Sequence, residues 1–152
     1  MLKGLHPLLT ADLLHALRSM GHGDTVAIVD ANFPASGLGP PVVEVAGATA
    51  SAVLDAVLTV FPLDAEAMPP AATMEVVDAP QDVPAPVAEF AAVFTEHGLD
   101  DVEIGRLPRR DFYQQAREAF AIVRTGEMRP YGNILLVKGT VNRYERRPTP
   151  LA

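Results

Sequence analysis

Apolar residues recur along this chain at two spacings, and the two spacings predict helices that alternate with short strands. A spacing of three and four residues predicts helices over residues 10–20, 49–61, 87–98 and 111–117. Short, nearly continuous apolar runs predict strands over residues 25–29, 42–45, 73–77, 102–104, 119–123 and 134–137. Proline is concentrated between these segments, which predicts loops over residues 31–41, 62–72 and 78–86.

The predicted strands are apolar along most of their length rather than at alternate positions. Strands of this kind are usually buried on both faces between layers of helices, and they are mostly parallel. The pattern therefore predicts an α/β fold: a single three-layer α/β/α domain with a mainly parallel central sheet. Ligands of such open sheets bind at the carboxyl ends of the strands, and Asp30 directly follows a predicted strand.

Composition narrows the partners and the chemistry that the chain can have. Its 152 residues are enough for one domain with a substantial core. The formal net charge of −7 disfavours nucleic acid and anionic membranes as partners, because both attract basic surfaces. With no cysteine, thiolate catalysis and disulfide bonds are excluded. No apolar run approaches the ~18 residues of a membrane span, and the amino-terminal residues do not resemble a signal peptide, so we expect a cytoplasmic protein.

The most informative local feature is the tripeptide Gly21-His22-Gly23, between the first predicted helix and the first predicted strand. Histidine exchanges protons near neutral pH, and flanking glycines leave room for a ligand. A carboxylate such as Asp30 can orient the imidazole or its substrate. The pattern favours acid/base chemistry, although a histidine at a helix end or an aspartate before a turn can also be purely structural. The sequence has no phosphate-binding glycine loop and no metal-ligand spacing, so we expect neither a nucleotide nor a metal cofactor.

Several short motifs, in the same order along residues 1–139, resemble the bacterial sugar mutarotases, the family that comprises ribose pyranase and L-fucose mutarotase. The motifs are Met-Gly-His-Gly-Asp at 20–24, Asp-Ala-Asn-Phe-Pro at 30–34, Phe-Tyr at 112–113, Ala-Phe-Ala-Ile-Val-Arg-Thr-Gly-Glu at 119–127 and Tyr-Gly-Asn-Ile-Leu-Leu at 131–136. Phe33 and Gly132 favour the fucose branch, since ribose pyranases more often have leucine and alanine there. Asn32 departs from several fucose-type members, which have histidine at this position.

The resemblance implies a reaction and a set of site residues. His22 would be the catalytic proton donor and acceptor when a pyranose ring opens and recloses, and Asp30 would bind a sugar hydroxyl or orient His22. The substrate-binding residues would be Asp30, Arg109, Tyr131, Gly132 and Asn133, with the glycine allowing close approach of the sugar. Arg110 is a rival for the role of Arg109, because the register near Pro108 does not distinguish them.

The implied function is that of an L-fucose mutarotase, an isomerase that interconverts the α and β anomers of a free monosaccharide without a cofactor. Two alternatives are a D-ribose pyranase and a non-catalytic sugar-binding oligomer on the same scaffold. The resemblance also implies a homo-oligomer, a decamer of two stacked pentamers with sites near subunit contacts. It leaves open whether Tyr131 and Asn133 face their own His22 or a neighbour's. Residues 1–139 would form the mutarotase domain, and we expect residues 140–152, rich in arginine and proline, to be a mobile tail.

Overall fold

In the computed structural model, which describes residues 1–144, six strands and four helices follow one another along the chain. The strands are β1 (Thr25–Val29), β2 (Val42–Val45), β3 (Ala71–Met74), β4 (Ile104–Leu107), β5 (Ala121–Thr125) and β6 (Ile134–Val137). The helices are α1 (Ala11–Ser19), α2 (Ala50–Leu58), α3 (Ala85–Glu96) and α4 (Arg109–Arg117), and a 3₁₀ turn at Ala35–Gly37 lies between β1 and β2. The predicted α/β succession of elements is confirmed.

All six strands form one sheet, in the order β2-β5-β1-β6-β3-β4. Five strands share one direction, and β6 runs antiparallel to its neighbours β1 and β3. The predicted mainly parallel sheet is therefore confirmed, with one antiparallel strand that makes it mixed. β6 is antiparallel because the connection before it, residues 126–133, is shorter than the roughly dozen residues that a parallel crossover needs. As a result, the start of β6 lies beside the carboxyl end of β1.

Helices cover both faces of the sheet, in agreement with the predicted three layers. Val26 and Ile28 of β1 face α1, α2 and α3 in the larger core. Ala27 and Val29 face α4 and the loop after β1 in the smaller core. Because successive side chains of a strand point to opposite faces, an entirely apolar strand supplies both cores. Phe112 is completely buried in the smaller core and anchors α4 against the sheet.

Local caps explain why the first two helices begin where the sequence predicts. The Thr10 hydroxyl accepts a hydrogen bond from the backbone N–H of Leu13, in the first turn of α1. Thr49 accepts one from the backbone N–H of Ala52, in the first turn of α2. Each bond satisfies a helix-end donor that has no partner within the helix.

The limits of β3, β4 and β5 differ from the prediction. β3 spans residues 71–74 instead of 73–77, β4 spans 104–107 instead of 102–104, and β5 spans 121–125 instead of 119–123. Pairing is the reason, since β3 is held between β4 and β6 over these residues, whereas Val77 beyond them is exposed. Apolar character alone does not locate the end of a strand.

The carboxyl-terminal tail begins after β6. Residues 140–144 are exposed and have no regular secondary structure. The rest of the predicted mobile tail, 145–152, lies outside the described residues. Within residues 1–144, every helix is too short or too polar to cross a membrane.

Candidate active site

The carboxyl end of β1 holds a buried carboxylate, Asp30, of which 6% is exposed. Its Oδ1 accepts a hydrogen bond from the backbone N–H of Asn32 at 2.9 Å, as in an Asx turn. Its own backbone N–H donates to Oδ1 of Asn133 at 2.9 Å. Burial raises the pKa of the Asp30 carboxyl, and hydrogen bonds from Asn32, Asn133 and Phe33 offset only part of that effect. Asp30 therefore holds a proton at higher pH than an exposed aspartate does.

The loop before β6 brings Tyr131 and Asn133 to the same edge of the sheet. Because β6 is antiparallel to β1, its first residue, Ile134, pairs with Ile28 near the carboxyl end of β1. Tyr131 has a left-handed backbone with φ of 62°, a conformation that costs a non-glycine residue ~1–3 kcal/mol. Its hydroxyl accepts a hydrogen bond from the backbone N–H of Val77 at 3.1 Å. The strained backbone and this bond together fix the position of the tyrosine ring.

These side chains line an open cleft of about 260 Å³. One wall is aromatic: the Phe33 and Tyr113 rings are stacked with their centroids 5.1 Å apart, and the Arg109 guanidinium lies 5.5 Å from the Tyr113 centroid. The residues that line the cleft are Asp30, Asn32, Phe33, Met74, Arg109, Tyr113, Pro130, Tyr131 and Asn133. An apolar wall with a few convergent polar groups is the usual composition of a small-molecule site.

Four of the six predicted site residues line this cleft together: Asp30, Arg109, Tyr131 and Asn133. The structure also distinguishes Arg109 from its rival. The Arg110 side chain is 93% exposed beside Asp111 and lines a neighbouring groove instead of the cleft. Arg109 is therefore the arginine that can reach a ligand in the cleft.

Gly132 leaves room for a neighbouring side chain of the protein. A Cβ atom at this position would lie 2.6 Å from Cγ of Glu127 and 3.6 Å from Cβ of Asp30. The Glu127 side chain therefore occupies the space that the missing side chain of Gly132 leaves. The predicted binding of a sugar beside Gly132 stays a prediction.

His22 lies at the opposite end of β1 from the cleft, which corrects the idea that Asp30 orients it within one chain. The five residues of β1, at about 3.3 Å per residue, separate the two ends by ~17 Å. The carboxylate beside His22 is Asp64, whose Oδ2 lies 3.1 Å from the imidazole Nε2. Asp64 is fixed in turn by a hydrogen bond from the backbone N–H of Glu66, at 3.1 Å.

The His22–Asp64 pair presents an oriented imidazole at the surface. The His22 side chain is 60% exposed and that of Asp64 is 16% exposed. His22 lines a second groove together with Arg18, Phe61 and Lys138. When Nε2 carries the proton that bonds to Asp64, Nδ1 is left as a free acceptor. The pair can therefore exchange a proton with a group that approaches from outside its own chain.

Sequence reasoning assigned no role to Tyr113, Met74 or Asp64. Tyr113 follows Arg109 by four residues, so the two lie on one face of α4, and this spacing could have identified the phenol. Asp64 is 42 residues from His22, and Met74 is brought to the cleft by strand pairing, so local patterns contain no signal for either residue.

The cleft suits a neutral molecule with several hydroxyl groups. Asp30 accepts hydrogen bonds, Arg109 donates them, and the Asn133 amide can do both. The raised pKa of Asp30 also lets it exchange a proton closer to neutral pH. Among residues 1–144, no cluster of three or more histidine, aspartate and glutamate side chains is arranged to hold a metal ion.

Known proteins are similar to this chain in both sequence and fold. Residues 3–141 match the model of the RbsD / FucU transport protein family. The chain is 40% identical to the fucose mutarotase of Mus musculus over 147 residues, which cover 93% of this chain and 95% of the mouse protein. The crystal structure of the fucose mutarotase from Streptococcus pneumoniae in complex with L-fucose has a TM-score of 0.86 and 36% identity, covering 92% of this chain and 99% of that one. Bacillus subtilis RbsD complexed with D-ribose has a TM-score of 0.67 and 24% identity, covering 93% and 99%, and shares the fold.

Proposed function

The chain belongs to the RbsD / FucU transport protein family, and from this membership we propose that it is an L-fucose mutarotase. Such an isomerase interconverts the α and β anomers of the free sugar by opening and reclosing its pyranose ring. One observation carries the proposal: Asp30, Arg109, Tyr131 and Asn133 converge on one cleft in a chain that is 40% identical to a fucose mutarotase.

The parts of the cleft correspond to the parts of a deoxy sugar. Asp30 accepts a hydrogen bond from one hydroxyl, and Arg109 and Asn133 bind others. The stacked rings of Phe33 and Tyr113 form an apolar surface against which the C–H face and the methyl group of L-fucose can pack. A sugar with a hydroxymethyl group in place of that methyl group has a polar group to desolvate at this surface.

Mutarotation requires two proton transfers in each direction. One group protonates the ring oxygen and another takes the proton of the anomeric hydroxyl, and the roles reverse when the ring closes. Positioned proton transfer contributes about 10²–10⁴-fold. In the proposed mechanism His22 exchanges one of these two protons, and Asp30, whose raised pKa lets it hold a proton, exchanges the other.

The ~17 Å between the two ends of β1 leaves the cleft of one chain without its own His22. We propose that His22 of a neighbouring copy completes the cleft, in a homo-oligomer built as a decamer of two stacked pentamers. The exposed imidazole, oriented by Asp64, is suited to this role because it projects from its own chain. We also propose that this assembly is cytoplasmic.

Saturation-transfer proton NMR tests the function directly. One anomeric signal of L-fucose is irradiated and the loss of intensity in the other anomer is followed, with and without the protein. D-ribose and L-galactose are measured in parallel, since L-galactose differs from L-fucose only by a hydroxyl group at C6. We expect the protein to accelerate exchange of L-fucose most, and we expect His22→Ala to abolish the acceleration while the variant stays folded and assembled.

Other results of this experiment would indicate other functions. Acceleration with D-ribose alone would reassign the chain as a ribose pyranase. Saturable sugar binding without accelerated exchange, in folded and assembled protein, would leave a non-catalytic sugar-binding oligomer. Full activity of His22→Ala would exclude the role proposed for His22.

A further inference from the structure

Behind the cleft, three charged side chains join the β5–β6 loop to the helices of the larger core. The Arg129 guanidinium donates to both carboxylate oxygens of Glu89 on α3, at 2.6 and 2.8 Å. It also donates to both carboxylate oxygens of Glu127, at 2.8 and 3.0 Å. The Ser51 hydroxyl, at the start of α2, donates to Glu89 at 2.7 Å. We call Glu127, Arg129 and Glu89 the loop clasp.

Glu127 is the buried member of the loop clasp, with 2% of its surface exposed. Its carboxylate also accepts hydrogen bonds from the backbone N–H groups of Arg129, at 3.0 Å, and of Ala50, at the start of α2. The Arg129 guanidinium lowers the pKa of Glu127 and, together with Ser51, lowers that of Glu89 to about 2. Burying an ion pair stabilises a fold no more than apolar packing of the same volume does. Stability alone therefore does not account for a buried carboxylate at this position.

Glu127 contacts two of the three segments that supply the polar side chains of the cleft, the third being α4 with Arg109. Its backbone carbonyl accepts a hydrogen bond from the N–H of Ala31, next to Asp30, at 2.8 Å. Its side chain packs beneath Gly132, where a Cβ atom would lie 2.6 Å from Glu127 Cγ. Gly132 in turn separates Tyr131 from Asn133. A shift of Glu127 would therefore move the segment of Asp30 and the segment of Tyr131 and Asn133.

We propose that Glu127, held by Arg129 and Glu89, is a positioning residue that sets the distance of Tyr131 and Asn133 from Asp30. The loop clasp acts from behind the cleft without touching the sugar. The inference rests on the proposed function, because the cleft must be the sugar site for the position of its walls to affect exchange.

The charge of Glu127 provides a readout that a merely structural role would not affect. Burial is the main cause of the raised pKa of Asp30, and repulsion from the Glu127 carboxylate adds a smaller contribution. The other ionisable side chains that line the cleft are Arg109, Tyr113 and Tyr131, and the Glu127→Gln substitution leaves all three residues in place. Glu127→Gln keeps the shape of the side chain but removes the charge, so it lowers the pKa of Asp30. The acidic limb of the pH profile for fucose exchange should therefore move to lower pH.

Two variants test the positioning role, with a matched control. Glu89→Gln weakens the clasp at its half-exposed end, where the variant remains foldable, and Glu127→Gln changes its buried end. Asp55→Asn is the control, because Asp55 of α2 and His97 at the end of α3 form a 2.8 Å hydrogen bond away from the loop. We expect KM for L-fucose to rise about tenfold in Glu127→Gln and by a smaller factor in Glu89→Gln, as for loss of charge-assisted hydrogen bonds. The control should keep the wild-type KM.

Hydrogen–deuterium exchange of residues 127–133 measures the loop without any reference to sugar. Faster exchange in Glu89→Gln than in Asp55→Asn, together with the KM increase and the shifted pH limb of Glu127→Gln, supports the inference. Wild-type loop exchange and wild-type KM in Glu89→Gln would overturn it. If wild-type protein fails to accelerate anomer exchange while residues 127–133 exchange deuterium faster in Glu89→Gln, the proposed function is wrong. The clasp then stabilises the loop but has no role in sugar exchange. An unshifted pH limb and an unchanged KM in an active Glu127→Gln enzyme would show that the clasp is only structural, and would reject the positioning of Tyr131 and Asn133 relative to Asp30.

Discussion

If the cleft of one copy is completed by His22 of another, two inactive variants should restore each other's activity within one oligomer. His22→Ala keeps the cleft but removes the proton donor. Asp30→Asn keeps the donor but removes the carboxylate that holds the sugar. A copy of the first variant can offer its cleft to the intact His22 of the second. Each variant alone lacks one essential group at every site, so each alone should be inactive.

The structure determines the size of the expected recovery. Since about 17 Å separates the two ends of β1, a chain cannot supply both groups to one site. In a closed symmetric ring assembled from equal amounts of both variants, about half of the clefts have an intact Asp30, and about half of those face an intact neighbouring His22. Roughly one quarter of the sites are then complete. If a chain used its own His22, no ratio of the two variants would produce a complete site.

The assay requires mixed oligomers and one matched control. The two variants are co-expressed with different affinity tags, purified through both tags, and tested for accelerated anomer exchange of L-fucose by saturation-transfer NMR. Separately assembled variants mixed just before measurement serve as the control and should stay inactive. Mixed oligomers that are folded, fully assembled and no more active than either pure variant would falsify the shared site.

Three further outcomes follow from single contacts. Asn133→Ala removes the acceptor of the Asp30 backbone N–H and should raise KM for L-fucose by about tenfold or more; an unchanged KM would show that the amide binds no sugar. The pKa of Glu89 is lowered from 4.5 to about 2 by its arginine partner, so its contribution to stability is present above pH 4.5 and is lost as pH falls through about 2. Between pH 4.5 and about 2, the Tm of the wild type should therefore fall slightly more steeply than that of Glu89→Gln. The difference is small because the Glu89 side chain is 40% exposed. Parallel curves would contradict a stabilising ion pair. Gly126→Ala should lower the free energy of unfolding by about 1–3 kcal/mol, since its Cβ would clash with a backbone carbonyl of the β2–α2 loop, whereas Gly37→Ala meets open space; equal urea midpoints would reject that packing argument.

Elements with local causes were predicted from the sequence. β1, β2 and β6 have the predicted limits, because an apolar run bounded by loop residues is a local property. The predicted starts of α1 and α2, at residues 10 and 49, are the threonines that cap these helices in the structure. β3 and β4 were displaced because their ends depend on which residues of a neighbouring strand are available for pairing.

The candidate site was partly predictable for the same reason. Asp30 could be placed at the carboxyl end of a strand from the strand pattern alone, and ligands bind at that edge of an open sheet. The contact between Asp30 and Asn133 joins residues 103 positions apart. It forms because β6 runs antiparallel beside β1, and a pattern that predicts strands does not specify their order in the sheet.

The sequence by itself determined the α/β class, the helices and strands with local signals, and the motifs that resemble sugar mutarotases. Only the tertiary structure decided that His22 is paired with Asp64, that Gly132 covers the side chain of Glu127, and that the imidazole lies far from the cleft in its own chain. These facts depend on contacts between distant segments. Such contacts form when the strands assemble into one sheet, and residue type and local spacing do not specify them.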